Sequence, residues 1–245
     1  MRHRFRFLAS YEASSHLWYI DGEEYFHTKK VLRLDPGALI EVFDGRGSWG
    51  EGIIMEMQKD RACIRVPTTH QEPPPQPKLV LALGALQPQT MAELVPCLVE
   101  LGIDELHVLL PSGVAKARLN EKLQGRWHKI AIAAAKQSKR AWLPPIRSWP
   151  SLAKFLALAQ SDFDERWLLN PNGAQPLLEK KLAGKKSTCL LIGSEKGFTS
   201  AELDLIHAAD FQSVHLGRCT LRSFTAAVVA VALISTKRSA LIEEG

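Results

Sequence analysis

The residues after position 78 alternate between short apolar runs and longer segments with helical periodicity. Five apolar runs predict strands, at residues 79–83, 106–110, 167–169, 188–192 and 213–216. Three periodic segments predict helices, at residues 91–101, 119–140 and 222–236, and Gly102 stands where a helix commonly ends. Strands that alternate with helices in this way predict an α/β domain with a mainly parallel sheet.

Residues 1–70 follow another pattern, in which short apolar runs are separated by turn residues. Strands are predicted where Arg4 to Phe7 alternate and at residues 39–43, 52–57 and 62–66, with one helix within residues 23–32. The sequence Asp44-Gly45-Arg46-Gly47 is typical of a hairpin turn. This spacing predicts a small β-barrel of roughly 70 residues.

Residues 71–77 contain four prolines, which fit neither a helix nor a central strand. Such a segment behaves as a stiff, extended spacer. The sequence therefore predicts a barrel over residues 1–70, a linker over residues 71–77 and an α/β domain over residues 78–245.

The composition is that of an ordinary soluble protein, with 46% apolar and 23% charged residues. The basic start of the chain has no apolar segment behind it, so we expect no signal peptide. The longest apolar run, residues 224–234, is shorter than the roughly 20 residues that span a bilayer. We therefore expect a buried helix there and no membrane partner.

The four cysteines lie far apart, and the eight histidines never form a close pair with ligand spacing. This spacing excludes a zinc ribbon or a paired redox site and predicts no metal. Unpaired thiols are typical of the cytoplasm, which is the predicted location.

The net charge of +5 is concentrated in one part of the chain. Residues 1–70 hold ten basic and ten acidic residues, whereas residues 113–148 hold nine basic residues and the single acid Glu121. A local excess of cations is what a nucleic-acid contact requires.

Residues 126–140, which we call the basic helix, place their cations on one side of a helical wheel. Lys129, Lys136 and Arg140 fall within about 20° of one line, with Arg126 about 60° away. The opposite side carries apolar residues at core spacing: Trp127, Ile130, Ala131 and Ala134. A solvated lysine face is the alternative, but the absence of interspersed acids favours RNA contact.

A second group of cations comes from the first residues of the chain. Alternation places Arg2, Arg4 and Arg6 on one face of a strand. Together with Lys29, Lys30 and Arg33 they either contact phosphates or keep an edge strand soluble, and the sequence leaves both open.

Two strand–loop–helix units follow one another near the carboxyl end. Gly193-Ser194-Glu195-Lys196-Gly197-Phe198, the glycine loop, follows one apolar run, and residues 216–222, the carboxyl-terminal loop, follow the next. Parallel sheets bind ligands at loops leaving the carboxyl ends of their strands, and glycine lets the backbone approach a ligand. The alternative is that both are ordinary tight turns.

These loops, in this order and spacing, resemble those of the RsmE-type ribosomal RNA uridine methyltransferases, a branch of the SPOUT methyltransferases. The resemblance extends over nearly the whole chain. Further matching positions are Arg4-Phe5-Arg6, residues 27–33, residues 37–47, Glu100-Leu101-Gly102, Arg126-Trp127, residues 134–140, Pro144, Glu202 and Thr225-Ala226.

The resemblance implies a PUA-like RNA-binding β-barrel followed by a trefoil-knotted SPOUT-like domain through which two copies form a homodimer. It implies S-adenosylmethionine as the methyl donor and N3 of a uridine as the acceptor. The implied partner is small-subunit (16S) ribosomal RNA or the small ribosomal subunit.

The resemblance also implies the residues of the site. Backbone and apolar groups would hold the donor, at Leu169, Ile192, Gly193, Gly197, Leu216, Gly217 and Leu221. Methylation of N3 requires removal of its imide proton, which places negative charge on the base carbonyls. A fixed guanidinium suits that charge, so Arg222 is the candidate catalytic residue. The alternative for Arg222 is a local cap or ion pair.

Several positions depart from the family pattern: Cys97, Gly113, Lys196, Cys219, Thr220 and Phe224. Lys196 stands where the family has glycine, and a positive φ there would cost ~1 kcal/mol or more. These departures leave a second function open, an RNA-binding dimer that has lost methyl transfer.

Overall fold

The computed structural model describes residues 4–110, 117–182 and 184–243. It divides into two compact units, each described here by itself. The amino-terminal unit comprises Met1–Pro74 and Ala135–Leu143, and the carboxyl-terminal unit comprises Pro75–Ala134 and Pro144–Gly245. The predicted boundaries did not include the segment Ala135–Leu143, which groups with the first unit.

The amino-terminal unit is a seven-stranded sheet with one short helical segment. Its strands are β1 (Arg6–Leu8), β2 (Ser10–Glu12), β3 (Leu17–Asp21), β4 (Leu39–Phe43), β5 (Ser48–Met57), β6 (Arg61–Arg65) and β7 (His70–Gln71). The helix α1 (Gly22–Phe26) continues as a π-helical turn, His27–Val31. The strand order is β1-β4-β5-β6-β3-β2 with β7 on β5, and only β1 and β4 pair in parallel.

The predicted small β unit is confirmed, and alternation along its strands explains its core. Strand β5 buries every second residue over Gly50, Gly52 and Ile54 and exposes those between. The inward side chains form one apolar cluster, which includes Phe7, Trp18, Ile20, Ile40, Val42, Ile54 and Ile64. Strands β2 and β3 were not predicted, because β2 is a three-residue, exposed edge strand.

The carboxyl-terminal unit is a seven-stranded, wholly parallel sheet with helices. Its strands are β8 (Lys78–Gly84), β9 (Glu105–Leu109), β10 (Ile146–Trp149), β11 (Glu165–Leu169), β12 (Gln175–Pro176), β13 (Ser187–Ile192) and β14 (Gln212–His215). The helices are α2 (Pro88–Glu100), α3 (Ala117–Gln137), α4 (Leu152–Asp162), α5 (Ser200–Ala208) and α6 (Ser223–Glu243), with a 3₁₀ turn at Leu177–Glu179. The order is β10-β9-β8-β13-β11-β14-β12, which confirms the predicted parallel α/β sheet.

The central strands β8 and β13 are continuous apolar runs because both of their faces are covered. All six residues of β13 are buried, and so are the last six of β8. Val80 and Leu191 join a cluster that also contains Phe155 from α4 and Ile206 from α5. These two strands therefore hold the middle of the sheet in place.

The last helix is longer than the predicted span of residues 222–236. Its part Ser223–Leu241 is long and apolar enough to cross a membrane by length and composition alone, a test that core helices of soluble proteins also pass. Here α6 packs against α2, β8 and β13. Its Arg238 is buried, donates to the carbonyl of Gly102 at 2.6 Å and forms an ion pair with Asp104.

A buried ionic cluster surrounds Glu105 on β9. Trp149 Nε1 donates to Nδ1 of His107 at 2.6 Å, and His107 Nε2 lies 3.2 Å from Glu105 Oε1. Lys78 and Arg147 pair with the same carboxylate. Desolvation raises the pKa of Glu105, but the hydrogen bonds from His107 and Lys78 outweigh it and lower the pKa to about 2.

We expect Glu105→Gln to destabilise the protein in a pH-dependent way. A carboxyl pKa lowered from 4.5 to about 2 stabilises the fold above pH 4.5, and this stabilisation disappears as the pH falls towards 2. Urea unfolding should show a loss of roughly 3 kcal/mol at pH 7 that shrinks below pH 4.5. The exposed Glu179→Gln is the control, and a loss that stays constant from pH 7 to pH 3 would contradict the assignment.

Candidate active site

A cleft of about 360 Å³ lies at the carboxyl ends of three neighbouring strands of the carboxyl-terminal unit. The strands are β13, β11 and β14, which are adjacent and parallel, so that their carboxyl ends meet at one edge. The glycine loop, the carboxyl-terminal loop and the turn after β11 line the cleft, and the start of α6 closes it.

The glycine loop is a tight turn that only small residues permit. Gly197 N donates to the carbonyl of Ser194 at 2.8 Å, and Gly197 has a φ of 71°. A Cβ on Gly193 would lie 3.0 Å from Gly197 Cα, and one on Gly84, at the end of β8, would overlap the amide of Ser194. The helix that follows begins with a capping box between Thr199 and Glu202.

Lys196 does not strain this loop. Among the described non-glycine residues with positive φ, Lys196 does not occur, and the positive φ falls on Gly197 instead. The side chain of Lys196 is exposed and does not line the cleft. The sequence predicted backbone strain only if Lys196 had a positive φ, and this condition is not met. Of the other departures, Cys219 and Thr220 line the cleft and Phe224 does not.

The carboxyl-terminal loop supplies the opposite wall. Gly217 has a φ of 139°, and its amide donates to Nδ1 of His215 at 3.2 Å. Half-buried Leu216 and Leu221 present apolar side chains to the cleft. Helix α6 starts directly behind them, where Ala226 N donates to the carbonyl of Arg222 at 2.8 Å.

The structure brings all the predicted donor-binding residues into this one cleft. Its lining includes Leu169, Ile192, Gly193, Gly197, Leu216, Gly217 and Leu221, together with the candidate catalytic residue Arg222.

Sequence reasoning missed the polar part of the turn after β11. Asn170 and Pro171 line the cleft, and Asn170 N donates to the carbonyl of Val214 at 2.9 Å, which ties this turn to β14. The signal was present in the sequence, since Asn170-Pro171-Asn172-Gly173 directly follows an apolar run. Val214, also in the lining, carried no comparable signal.

Arg222 carries an exposed guanidinium at the edge of the cleft. Among the residues that the structure describes, no carboxylate lies within 4 Å of it. The local ion pair that the sequence left open is therefore not formed there, and Arg222 is one of the residues that line the cleft.

The cation Arg6, predicted to face RNA, lies inside the amino-terminal unit instead. It is only 6% exposed, pairs with Glu41 at 3.1 Å, donates to the carbonyl of Arg140 at 2.9 Å and stacks over Phe43. Burial lowers the pKa of Arg6, which Glu41 partly offsets. The strand begins only at Arg6, so the predicted alternation from Arg2 to Arg6 is not tested, and the Arg6 side chain is covered by the segment Ala135–Leu143.

Helix α3 ends at Gln137, short of the predicted residue 140, and cations around its end are likewise used within the amino-terminal unit. Lys136 Nζ contacts both carboxylate oxygens of Glu24 at 2.9 Å, and Lys139 Nζ contacts Glu41 at 2.6 Å. These acids stand far away in sequence, which is why the helical wheel showed unpaired cations. Arg126 and Lys129 are exposed.

The remaining predicted RNA contacts differ in their surroundings. Arg4 pairs with Glu51, and Lys29 Nζ donates to Tyr25 Oη at 2.8 Å. Lys30 and Arg33 are exposed. Arg2 and the departure at Gly113 lie outside the described residues.

Comparison with known families matches both units. Residues 72–235 match the RNA methyltransferase domain, and residues 20–66 match the RNA methyltransferase PUA domain. The first of these matches covers more than half of the chain, and the second confirms the PUA-like character of the barrel.

Relatives share about a quarter of their residues with this chain. It is 28% identical over 212 residues to ribosomal RNA small subunit methyltransferase E of Synechocystis, covering 85% of this chain and 69% of that protein. It is 27% identical over 228 residues to the Mycobacterium tuberculosis enzyme of the same name, covering 90% and 86%.

Solved structures show the same fold. Ribosomal RNA small subunit methyltransferase E from Neisseria gonorrhoeae, bound to S-adenosyl methionine, superimposes with a TM-score of 0.78 at 24% identity, covering 96% of this chain and 98% of that one. A Legionella pneumophila protein in complex with SAM gives 0.81 at 22% identity, covering 95% and 96%. With its PUA-like barrel, its parallel α/β unit and its match to the RNA methyltransferase model, the chain belongs to the RsmE-type family of ribosomal RNA methyltransferases.

Proposed function

We propose that this protein transfers a methyl group from S-adenosylmethionine to N3 of a uridine in small-subunit ribosomal RNA, in the cytoplasm. The observation that carries the proposal is the single cleft in which the glycine loop, the carboxyl-terminal loop and the unpaired guanidinium of Arg222 converge. Membership of an RNA methyltransferase family supports the reaction class.

The residues of the cleft fit S-adenosylmethionine. A volume of about 360 Å³ lies within the range of small-molecule sites. Leu169, Leu216 and Leu221 offer an apolar wall that suits an adenine ring, and Gly193 and Gly197 offer backbone that a ligand can approach closely. When bound, the donor supplies a methyl group on a positively charged sulfur.

Arg222 has a defined task in this reaction. When N3 of uracil loses its proton to solvent, negative charge spreads onto the neighbouring carbonyl oxygens, and this charge is neutralised when N3 takes the methyl group from the donor's positively charged sulfur. A guanidinium at the edge of the cleft stabilises the negative charge while it is present. The first turn of α6, which begins at Ser223, fixes the backbone of Arg222.

We also propose that two copies associate through the carboxyl-terminal unit, whose chain forms the knot that the resemblance implies. The apolar α6 supports this association, because Val229 remains 40% exposed on it. Sedimentation of the purified protein at micromolar concentration should give the mass of a dimer.

Titration of S-adenosylmethionine into the purified protein, without RNA, should show saturable binding in the micromolar range. Alkylation locates the bound donor, because Cys219 is exposed in the cleft whereas Cys63 and Cys189 are buried. Burial raises the pKa of both buried thiols, which keeps them unreactive. The donor should slow alkylation of Cys219 and leave that of Cys97 unchanged.

Two results would count against the proposal. Binding with no protection of Cys219 would place the donor elsewhere. The absence of binding by a folded protein that still binds ribosomal RNA would favour the second function, an RNA-binding dimer without methyl transfer.

Arg222→Ala should lower the rate constant of methyl transfer to small-subunit RNA by roughly 10²–10³-fold, because one charge-stabilising donor is lost. Its affinity for S-adenosylmethionine should change by less than about threefold, well below 1 kcal/mol. The product is identified by reverse transcription, since a methyl group on N3 blocks base pairing and stops the polymerase.

The matched control is Arg218→Ala, which removes an exposed arginine of the same loop that does not line the cleft. This variant should keep its transfer rate within about twofold, as for a surface substitution away from the reacting groups. Full activity of Arg222→Ala would remove Arg222 from the mechanism.

A further inference from the structure

The most exposed large apolar side chains of the amino-terminal unit, among the residues described, lie on one short helical segment. Phe26 is 62% exposed and Val31 is 59% exposed. Phe26 ends α1, and Val31 ends the π-helical turn that continues it. Isolated exposed apolar residues are common, so the surroundings of this pair decide what it means.

The opposite side of this segment is firmly anchored. Tyr25 and Thr28 are buried, Tyr25 Oη donates to the carbonyl of Gln58, and Thr28 Oγ1 donates to the carbonyl of Glu24 at 2.7 Å. The amide of Leu32 donates to the carbonyl of His27 at 3.0 Å, and this hydrogen bond closes the π-helical turn. The ring of Phe26 is therefore held outward by a fixed backbone.

Three cations follow Phe26 closely in the sequence: Lys29, Lys30 and Arg33. Lys29 is fixed by Tyr25, to whose hydroxyl it donates and over whose ring it lies 5.2 Å from the centroid. Lys30 and Arg33 are exposed, and within the described residues neither has a carboxylate within 4 Å. The nearby carboxylate of Glu24 is already neutralised by Lys136.

We propose that Phe26 is a stacking site for an unpaired RNA base, flanked by Lys30 and Arg33 as phosphate contacts. The inference rests on the proposed function, because it assigns part of the RNA substrate to this segment. It adds a residue that neither the charge pattern nor the sequence motifs indicated.

An unpaired nucleotide is the occupant that this chemistry fits. A base needs a flat apolar surface, which the Phe26 ring supplies, and every nucleotide carries a phosphate that suits a nearby unpaired cation. Stacking on an aromatic ring does not discriminate between bases. The site would therefore position the RNA, and the cleft would select the uridine.

The test compares binding of the full chain to two polyanions, a single-stranded RNA and inorganic polyphosphate of similar length. Phe26→Ala should weaken RNA binding by about tenfold, as for the loss of one stacked base. It should leave polyphosphate binding unchanged, because polyphosphate has no bases. Phe26→Trp should bind RNA as tightly as the wild type, whereas Phe26→Leu should resemble Phe26→Ala.

Salt dependence separates the two kinds of contact. Lys30→Ala and Arg33→Ala should weaken binding to both polyanions and reduce the slope of log affinity against log salt by about 0.7 each on RNA. Phe26→Ala should leave that slope unchanged. Ile53→Ala, which removes another exposed apolar side chain of the same unit, is the control and should behave as wild type.

The outcomes are distinct. Equal RNA affinity of Phe26→Ala and wild type would overturn the stacking site. The exposed Phe26 would then be assigned to a contact with a protein partner. An equal loss on RNA and on polyphosphate would also overturn it. Failure of the wild-type protein to bind RNA at all would instead contradict the proposed function.

Discussion

The close approach of two backbone segments at the centre of the parallel sheet sets the geometry of the whole site. Strand β8 ends at Gly84, and the glycine loop leaves the adjacent strand β13 so near to it that a Cβ on Gly84 would overlap the amide of Ser194. A second close approach, between Gly193 and Gly197, folds the loop back on itself. Because glycine lacks a Cβ, both approaches are possible, and the loop forms one wall of the cleft.

The rest of the cleft follows from strand order. Strand β11 lies between β13 and β14, so three loops that are distant in sequence leave the sheet side by side. The hydrogen bond from Asn170 to Val214 fixes the turn after β11 against β14. Helix α6 then starts from the edge of the cleft and is held at its far end by Arg238, which is buried against Asp104 and Gly102. This anchoring fixes the backbone from which the Arg222 side chain extends.

Charge was harder to interpret from sequence than apolarity. The apolar pattern gave the parallel sheet and the amino-terminal β unit, because burial imposes a period on each element separately. The charges of Arg6 and Lys136 suggested RNA contacts, but the structure pairs them with Glu41 and Glu24, which come from other elements. Lys30 and Arg33, which have no carboxylate within 4 Å among the described residues, follow the exposed Phe26 in sequence, and a count of charges gives no indication of that ring.

By itself, the sequence determined the two kinds of sheet, the proline-rich segment between them and the two glycine-containing loops that line the cleft. These features depend on local periodicity and on backbone conformations that few residues adopt, so they can be predicted from neighbouring positions. Only the tertiary structure decided that Asn170 joins the cleft, that Lys196 points away from it and that Arg6 is buried. Each of these depends on which distant element packs next to the residue, and ion pairs and close backbone contacts between distant elements leave no periodic signal in the chain.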